Sequence, residues 1–282
     1  MRFGMNVPPF GPYADPVRLA DLAVRAEAAG WDGFLVWDHI VYDPSFHPIC
    51  DVWVGLAAVA MRTRRLTIGT MLTPLARRRP WKVASQVATL DQISRGRAII
   101  TVGLGALTPD LPITGEETGL RERADLLDDG LDVMRALWSG STAFQGTRYR
   151  YDVEQDNVIQ VGRPVQDPVP VWTVALHPRP KSMRRALRCQ GVVPQYHEDD
   201  VADHLRAVRS WLDSHGAPST LDLISQGETP ADDPAGARAI VEPLGAAGAT
   251  WWLETRWELP HDSPERMREV HARLAAGPPS LG

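Results

Sequence analysis

The sequence predicts an α/β protein: a (β/α)8 barrel with a hairpin-like insertion between its fourth helix and fifth strand. Three observations carry this. Apolar stretches of period two alternate with stretches of period 3.6 along the chain. Eight such strand–helix pairs can be read, the number that closes a barrel. The first strand lacks the glycine fingerprint of an open nucleotide-binding sheet, and VGLGAL at 102–107 holds only a lone GxG.

Each element has its own signal. Residues 2–7 (RFGMNV) read as the first strand. Asp15-Pro16 is a helix cap followed by Pro at the first helical position; Leu19, Leu22, Ala23 and Ala26 share one face and Gly30 is the stop. Residues 33–37 form the second strand, and Asp51 caps a helix running through Met61. Residues 65–70 make the third strand, Pro80 opens a helix carrying Val83, Val87 and Leu90, and SRGR turns into the fourth strand, 98–103. A helix over 121–138 follows, ended by Gly140. The polar segment 141–169 is the insertion, with β-prone pieces at 149–153 and 157–161. The fifth to eighth strands are 170–174, 191–194, 221–225 and 250–254. Their helices start after Pro180, near Val201, at Asp233-Pro234 and at Ser263-Pro264.

A chain of 282 residues, 44% hydrophobic and 23% charged, suits one barrel domain over 1–282. A net charge of −5 argues against nucleic acid as partner. Cys50 and Cys189 stand far apart without CxxC spacing, which suits a reducing compartment. No apolar run reaches membrane-span length, and MRFGMNVPPF lacks a signal-peptide pattern, so a cytoplasmic protein without membrane attachment is expected. Neither HExxH nor GxSxG occurs, and no metal site is expected.

Barrels place their chemistry at the C-terminal ends of strands. The second strand ends in FLVWDHIVY, so Asp38-His39 follows an apolar run with an acid and an imidazole. The pattern alone leaves two readings open, an acid/base pair or a loop anchor. Trp37 shares strand parity with His39. Glu254 ends the eighth strand, either as a proton-transfer group or in a salt bridge with Arg256. Arg77-Arg78-Arg79 is either a lure for anions or a solvated turn.

Three blocks together resemble the bacterial luciferase-like superfamily of flavin and deazaflavin oxidoreductases: GWDGFLVWDH, RLTIGTMLTP with its Arg/Pro helix start, and TLDQISRGRAIITVGLG. LLDDGLDVMRALWSG and AAGATWWLE fit the same group. The resemblance implies a barrel holding a flavin-type ring in its mouth. His39 would act beside the ring, Asp38 would contact the cofactor or hold His39, and Glu254 remains the second catalytic candidate. A cis peptide at Thr70–Met71 would back the ring. Gly103 and Gly105 would approach the cofactor, and Arg179, Lys181 and Ser182 would bind its phosphate. Trp37, Ala106 and His177 would line the substrate pocket.

Two departures stand out. Ala106 occupies the place where many deazaflavin enzymes carry an acid, and WTVALHPRPKS replaces a Gly-Gly pair. The implied activity is hydride transfer with a deazaflavin coenzyme (F420 type) or monooxygenation with reduced FMN, on a small organic substrate. A separate reductase and a homodimer are the implied partners. The alternative is a barrel that has lost redox function, acting as a cofactor-free acid/base catalyst or a flavin-binding protein.

Overall fold

The computed structural model describes residues 1–42, 48–106, 110–153, 160–195, 200–255 and 264–281. Eight parallel strands close a barrel. They are β1 (Arg2–Val7), β2 (Gly33–Val36), β3 (Thr67–Pro74), β4 (Ala98–Gly103), β7 (Val171–Ala175), β8 (Gly191–Pro194), β9 (Asp222–Gly227) and β10 (Trp251–Glu254). β1 lies between β2 and β10, so no edge remains. The helices around it are α1 (Pro16–Ala28), α2 (Val52–Arg62), α3 (Pro80–Ser94), α4 (Asp110–Ile113), α5 (Leu120–Trp138), α6 (Pro180–Ala186), α7 (Val201–Ser214), α8 (Pro234–Ala246) and α9 (Pro264–Ala275). No described helix is long and apolar enough to cross a membrane.

Alternation along each strand splits the core into two layers. Leu35, Met71, Ile99, Trp172, Val193, Ile224, Trp251 and Leu253 fill the barrel interior, with Trp172 and Trp251 in T-shaped contact at 5.3 Å. Phe3, Met5, Val7, Phe34, Ile68, Ile100 and Val102 face outward into the larger layer beneath the helices. Each fully buried leucine there stabilises the fold by about 2 kcal/mol. Gly69 is a close-approach position: a Cβ there would lie 2.1 Å from the Ile99 carbonyl oxygen.

Helix starts follow the local signals. Asp15 accepts from the Val17 N–H, Asp51 from those of Trp53 and Val54, and Asp233 from that of Gly236. The SRGR turn uses left-handed Arg95 (φ 60°) and Gly96 (φ 80°). Arg97 then donates to Ser94, Ala60, Thr63 and Leu66 carbonyls and to the Thr63 hydroxyl. Asp91 accepts from the backbone N–H groups of Ala98, Val165 and Gln166. Much of that motif therefore builds the N-terminal end of the barrel.

Two expectations need correction. The third strand runs on to Pro74, past the expected end at 70. The insertion hairpin pairs β5 (Ala143–Gln145) with β6 (Arg150–Asp152), so the β-prone piece at 149–153 supplies one arm and the other arm precedes it in the chain. Asp129 on α5 accepts from the Arg148 and Tyr149 N–H groups and so fixes the turn earlier in the chain; residues 154–159 lie outside the described residues. The four-residue α4 was not anticipated. Cys50 and Cys189 are free thiols, 7% and 4% exposed.

Candidate active site at the barrel mouth

β2 delivers Trp37, Asp38 and His39 to the mouth. Asp38 is buried, 2% exposed, and its carboxylate is gripped from two sides. Arg77 donates to the Asp38 carbonyl oxygen at 2.8 Å and to Oδ1 at 3.1 Å. Arg78 donates from Nε to Oδ2 at 2.7 Å and from its terminal nitrogen to Oδ1. The first two arginines of the triple run are thus neither a solvated turn nor an anion lure; they bind Asp38. Arg79 alone stays exposed, at the cap position of α3.

His39 is half-buried beside an aromatic wall. Its ring meets Tyr42 edge to face at 5.4 Å and lies 6.0 Å from Trp37. Phe10 stacks on Tyr42 at 4.8 Å and meets Trp37 at 5.8 Å. Phe10 and Tyr42 escaped the sequence reading, because a lone aromatic in a loop carries no periodic signal.

The β3 end is irregular. Thr70 pairs with Ile100, then Thr73 with Val102, so one extra residue bulges out. Met71–Leu72 is the cis peptide, one bond later than expected, since Thr70 still occupies the regular ladder. Met71 joins the inner core, while the Thr70 hydroxyl accepts from Thr73 at 3.0 Å. Gly103 and Gly105 pack on this bulge. A Cβ on Gly103 would lie 2.9 Å from Leu72, and one on left-handed Gly105 (φ +79°) 2.6 Å from Pro74. Arg123, 4% exposed, donates to the Leu104 and Gly105 carbonyls at 3.1 Å each. Burial pushes its pKa down. An arginine in a helix's first turn, where acids are favoured, was its overlooked signal. Ala106 is exposed at the rim.

The other side of the mouth is different. Lys181 is exposed and pairs with Asp125 at 2.9 Å; that hydrogen bond holds the Asp125 carboxyl below its usual range. The Ser182 hydroxyl accepts from the Leu176 N–H, and Arg179 is exposed at the start of α6. His177 is half-buried, with its ring 5.8 Å from His204. Glu254 is fully buried but shares the outward face of β10 with Trp252, opposite to Trp251 and Leu253. Its oxygens accept from the Thr229 N–H (2.8 Å), the Thr229 hydroxyl (2.7 Å) and Trp252 Nε1 (3.2 Å), with Arg273 Nε at 3.5 Å. The structure therefore sets Glu254 in the helix layer, apart from His39. Arg256, the expected partner, lies outside the described residues.

Among the buried polar atoms without a partner in the described residues are Asn6 Oδ1, Trp37 Nε1 and Thr101 Oγ1. Asn6 and Thr101 alternate with outward residues and so face the barrel interior. Buried polar atoms are ordinarily bonded. A donor, an acceptor and a hydroxyl match the N–H and C=O edge of a flavin-type ring, so the residues present fit that group. Among the described residues, no three His, Cys, Asp or Glu side chains gather as for a metal ion.

Known proteins bear on this site. The F420-dependent glucose-6-phosphate dehydrogenase of Nakamurella multipartita is 34% identical over 168 residues, 58% of this chain and 48% of that protein. The chain thus spans about half the length of the curated relatives it matches. The F420-dependent tetrahydromethanopterin reductase of Methanopyrus kandleri superposes with a TM-score of 0.73 at 18% identity, over 98% of this chain and 97% of that one. The oxygenating constituent of 3,6-diketocamphane monooxygenase from Pseudomonas putida, in complex with FMN, gives 0.65 at 18% identity, over 87% and 73%. At such identities the two structures establish the shared barrel. The family model for luciferase-like monooxygenases matches residues 1–277, nearly the whole of the barrel just described, and the chain belongs to that family.

Proposed function

We propose that the chain is an oxidoreductase moving a hydride between an F420-type deazaflavin coenzyme and a small organic substrate. The observation that carries this is His39, half-buried at the mouth beside Trp37 and Tyr42, on a strand end clamped by arginines. Kinship with proteins named as F420-dependent dehydrogenases supports the deazaflavin. When bound, that coenzyme supplies the carbon that gives or accepts the hydride. His39 gives or takes the proton at the reacting substrate atom. Phe10, Trp37 and Tyr42 exclude water. Asn6, Thr101 and the Trp37 indole bind the ring edge, and Met71 supplies an apolar wall. Arg179, Lys181 and Ser182 would bind the phosphate: Arg179 is exposed, Lys181 has donors besides the one on Asp125, and the Ser182 hydroxyl, which accepts from the Leu176 N–H, still has its own hydrogen to donate. His177 and Ala106 border the substrate.

The segment WTVALHPRPKS, which stands in place of a Gly-Gly pair, favours a second reading, a barrel using His39 without a redox cofactor. Titration of the purified protein with F420 and, separately, with FMN separates the readings. Tight F420 binding supports hydride transfer. Tight FMN binding alone moves the assignment to oxygen insertion, with a separate reductase supplying reduced FMN. Binding of neither replaces the redox reading with the second one. A homodimer is part of the proposal, supported by outward Val54 and Met61 on α2, 64% and 66% exposed; a sedimentation mass of one chain would remove it.

A further inference from the structure

We propose that Arg77 and Arg78 are positioning residues for His39, acting through Asp38. The inference rests on the reading of His39 as the proton-transfer group. Four observations carry it. All three side chains of the clamp are withdrawn from water: Asp38 is 1% exposed, Arg77 5% and Arg78 19%. The grip is on the main chain as well as the carboxylate, because Arg77 bonds the carbonyl oxygen of the residue directly before His39. Both Asp38 oxygens accept from guanidinium groups, and a single peptide bond joins Asp38 to His39. Finally, the arginines follow the bulged end of β3, the segment carrying Met71. The clamp therefore ties the imidazole's strand end to the wall expected to back the ring, and makes one rigid body of the two.

The two arginines grip Asp38 differently. At Arg78 the planar fork spans both carboxylate oxygens, Nε to Oδ2 and the terminal nitrogen to Oδ1, which a lysine ammonium does not reproduce; at Arg77 one terminal nitrogen bonds both the Asp38 carbonyl and Oδ1. Arg79 is the internal control: it stands in the same run of charge but is exposed. If the run served only to attract anions, all three arginines would matter alike.

The test compares Arg77→Met, Arg77→Lys, Arg78→Met and Arg79→Met in the full chain. The first readout is the His39 ring cross-peak in cofactor-free protein labelled at histidine with 13C, assigned by its loss in His39→Ala. The second is kcat and KM with the coenzyme selected above. Arg77→Met and Arg78→Met are expected to shift or split the His39 cross-peak. They should lower kcat by about tenfold or more while KM stays within about threefold. Arg77→Lys should recover part of the loss, and Arg79→Met should match the parent. Should the single variants fail to fold, Asp38→Asn combined with Arg77→Met removes a charge of each sign, and its cross-peak answers the same question. A His39 cross-peak and a kcat unchanged in clamp variants that merely melt earlier would overturn the proposal. A fully active His39→Ala would instead remove the functional reading, and the NMR comparison would still stand alone.

Discussion

The ends of β2 and β10 each carry a buried carboxylate in the grip of arginine, yet they serve different parts of the molecule. Asp38 leads into a half-buried imidazole at the open mouth. Glu254 points outward, where Thr229, Trp252 and Arg273 lock β10 to the β9 loop and to α9. Burial and an ion pair, the features commonly taken to mark a catalytic acid, are common to both. What separates them is the face of the strand and the next residue along it. A buried charge pair at a barrel mouth is thus a question about neighbours before it is a statement about chemistry.

Three carboxylates and one imidazole sharpen that contrast. The largest effect belongs to His39→Ala, expected to lower kcat by roughly 10²–10⁴-fold with little change in melting temperature; a steady-state assay beside a thermal melt decides it, and unchanged turnover would break the comparison. Glu254→Gln should do the reverse. Loosening its buried pair with Arg273 is expected to cost about 3 kcal/mol in urea unfolding, while the folded fraction keeps its kcat/KM. A Glu254→Gln protein of normal stability and lost activity would move Glu254 back to the catalytic side. Asp51→Ala removes the exposed cap of α2, with an expected cost of about 1 kcal/mol and no kinetic change.

The smallest effect concerns pH. Burial raises the Glu27 pKa, but the N–H groups of Arg65, Arg64 and Leu66 outweigh it and leave the carboxyl below its usual range. The stabilisation is therefore full above the unfolded-state pKa and lost as pH falls through the folded one. Glu27→Gln should flatten the acid limb of the stability–pH curve below about pH 4.5. A parallel curve for the two proteins would mean those three bonds contribute nothing.

Much of the barrel could be read because its signals are local. A cap such as Asp15 or Asp51 serves an N–H group two or three residues away. Strand parity also placed Trp37 and His39 together. The failures share one cause, a partner distant in sequence. The Asp38 clamp spans 39 and 40 residues, so Arg77 and Arg78 read only as a run of charge. The extension of β3 consists of Thr73 pairing with Val102 and Pro74 with Gly103 on β4, which no window of sequence contains. The face of Glu254 was hidden because Trp251 and Trp252 are both apolar, so alternation gave no direction there. Phe144 in β5 carried no strand pattern of its own, and Asp129 chose the turn.

The two cysteines have a practical consequence. Burial raises the pKa of both thiols, Cys50 with added repulsion from Asp51 and Cys189 against the pull of Arg135. Neither is a ready nucleophile. A cysteine engineered onto the exposed rim, at Ala106 for instance, would be the thiol that maleimide finds first. A dye or spin label placed there would report on what enters the barrel in a wild-type background, without a cysteine-free variant having to be made first.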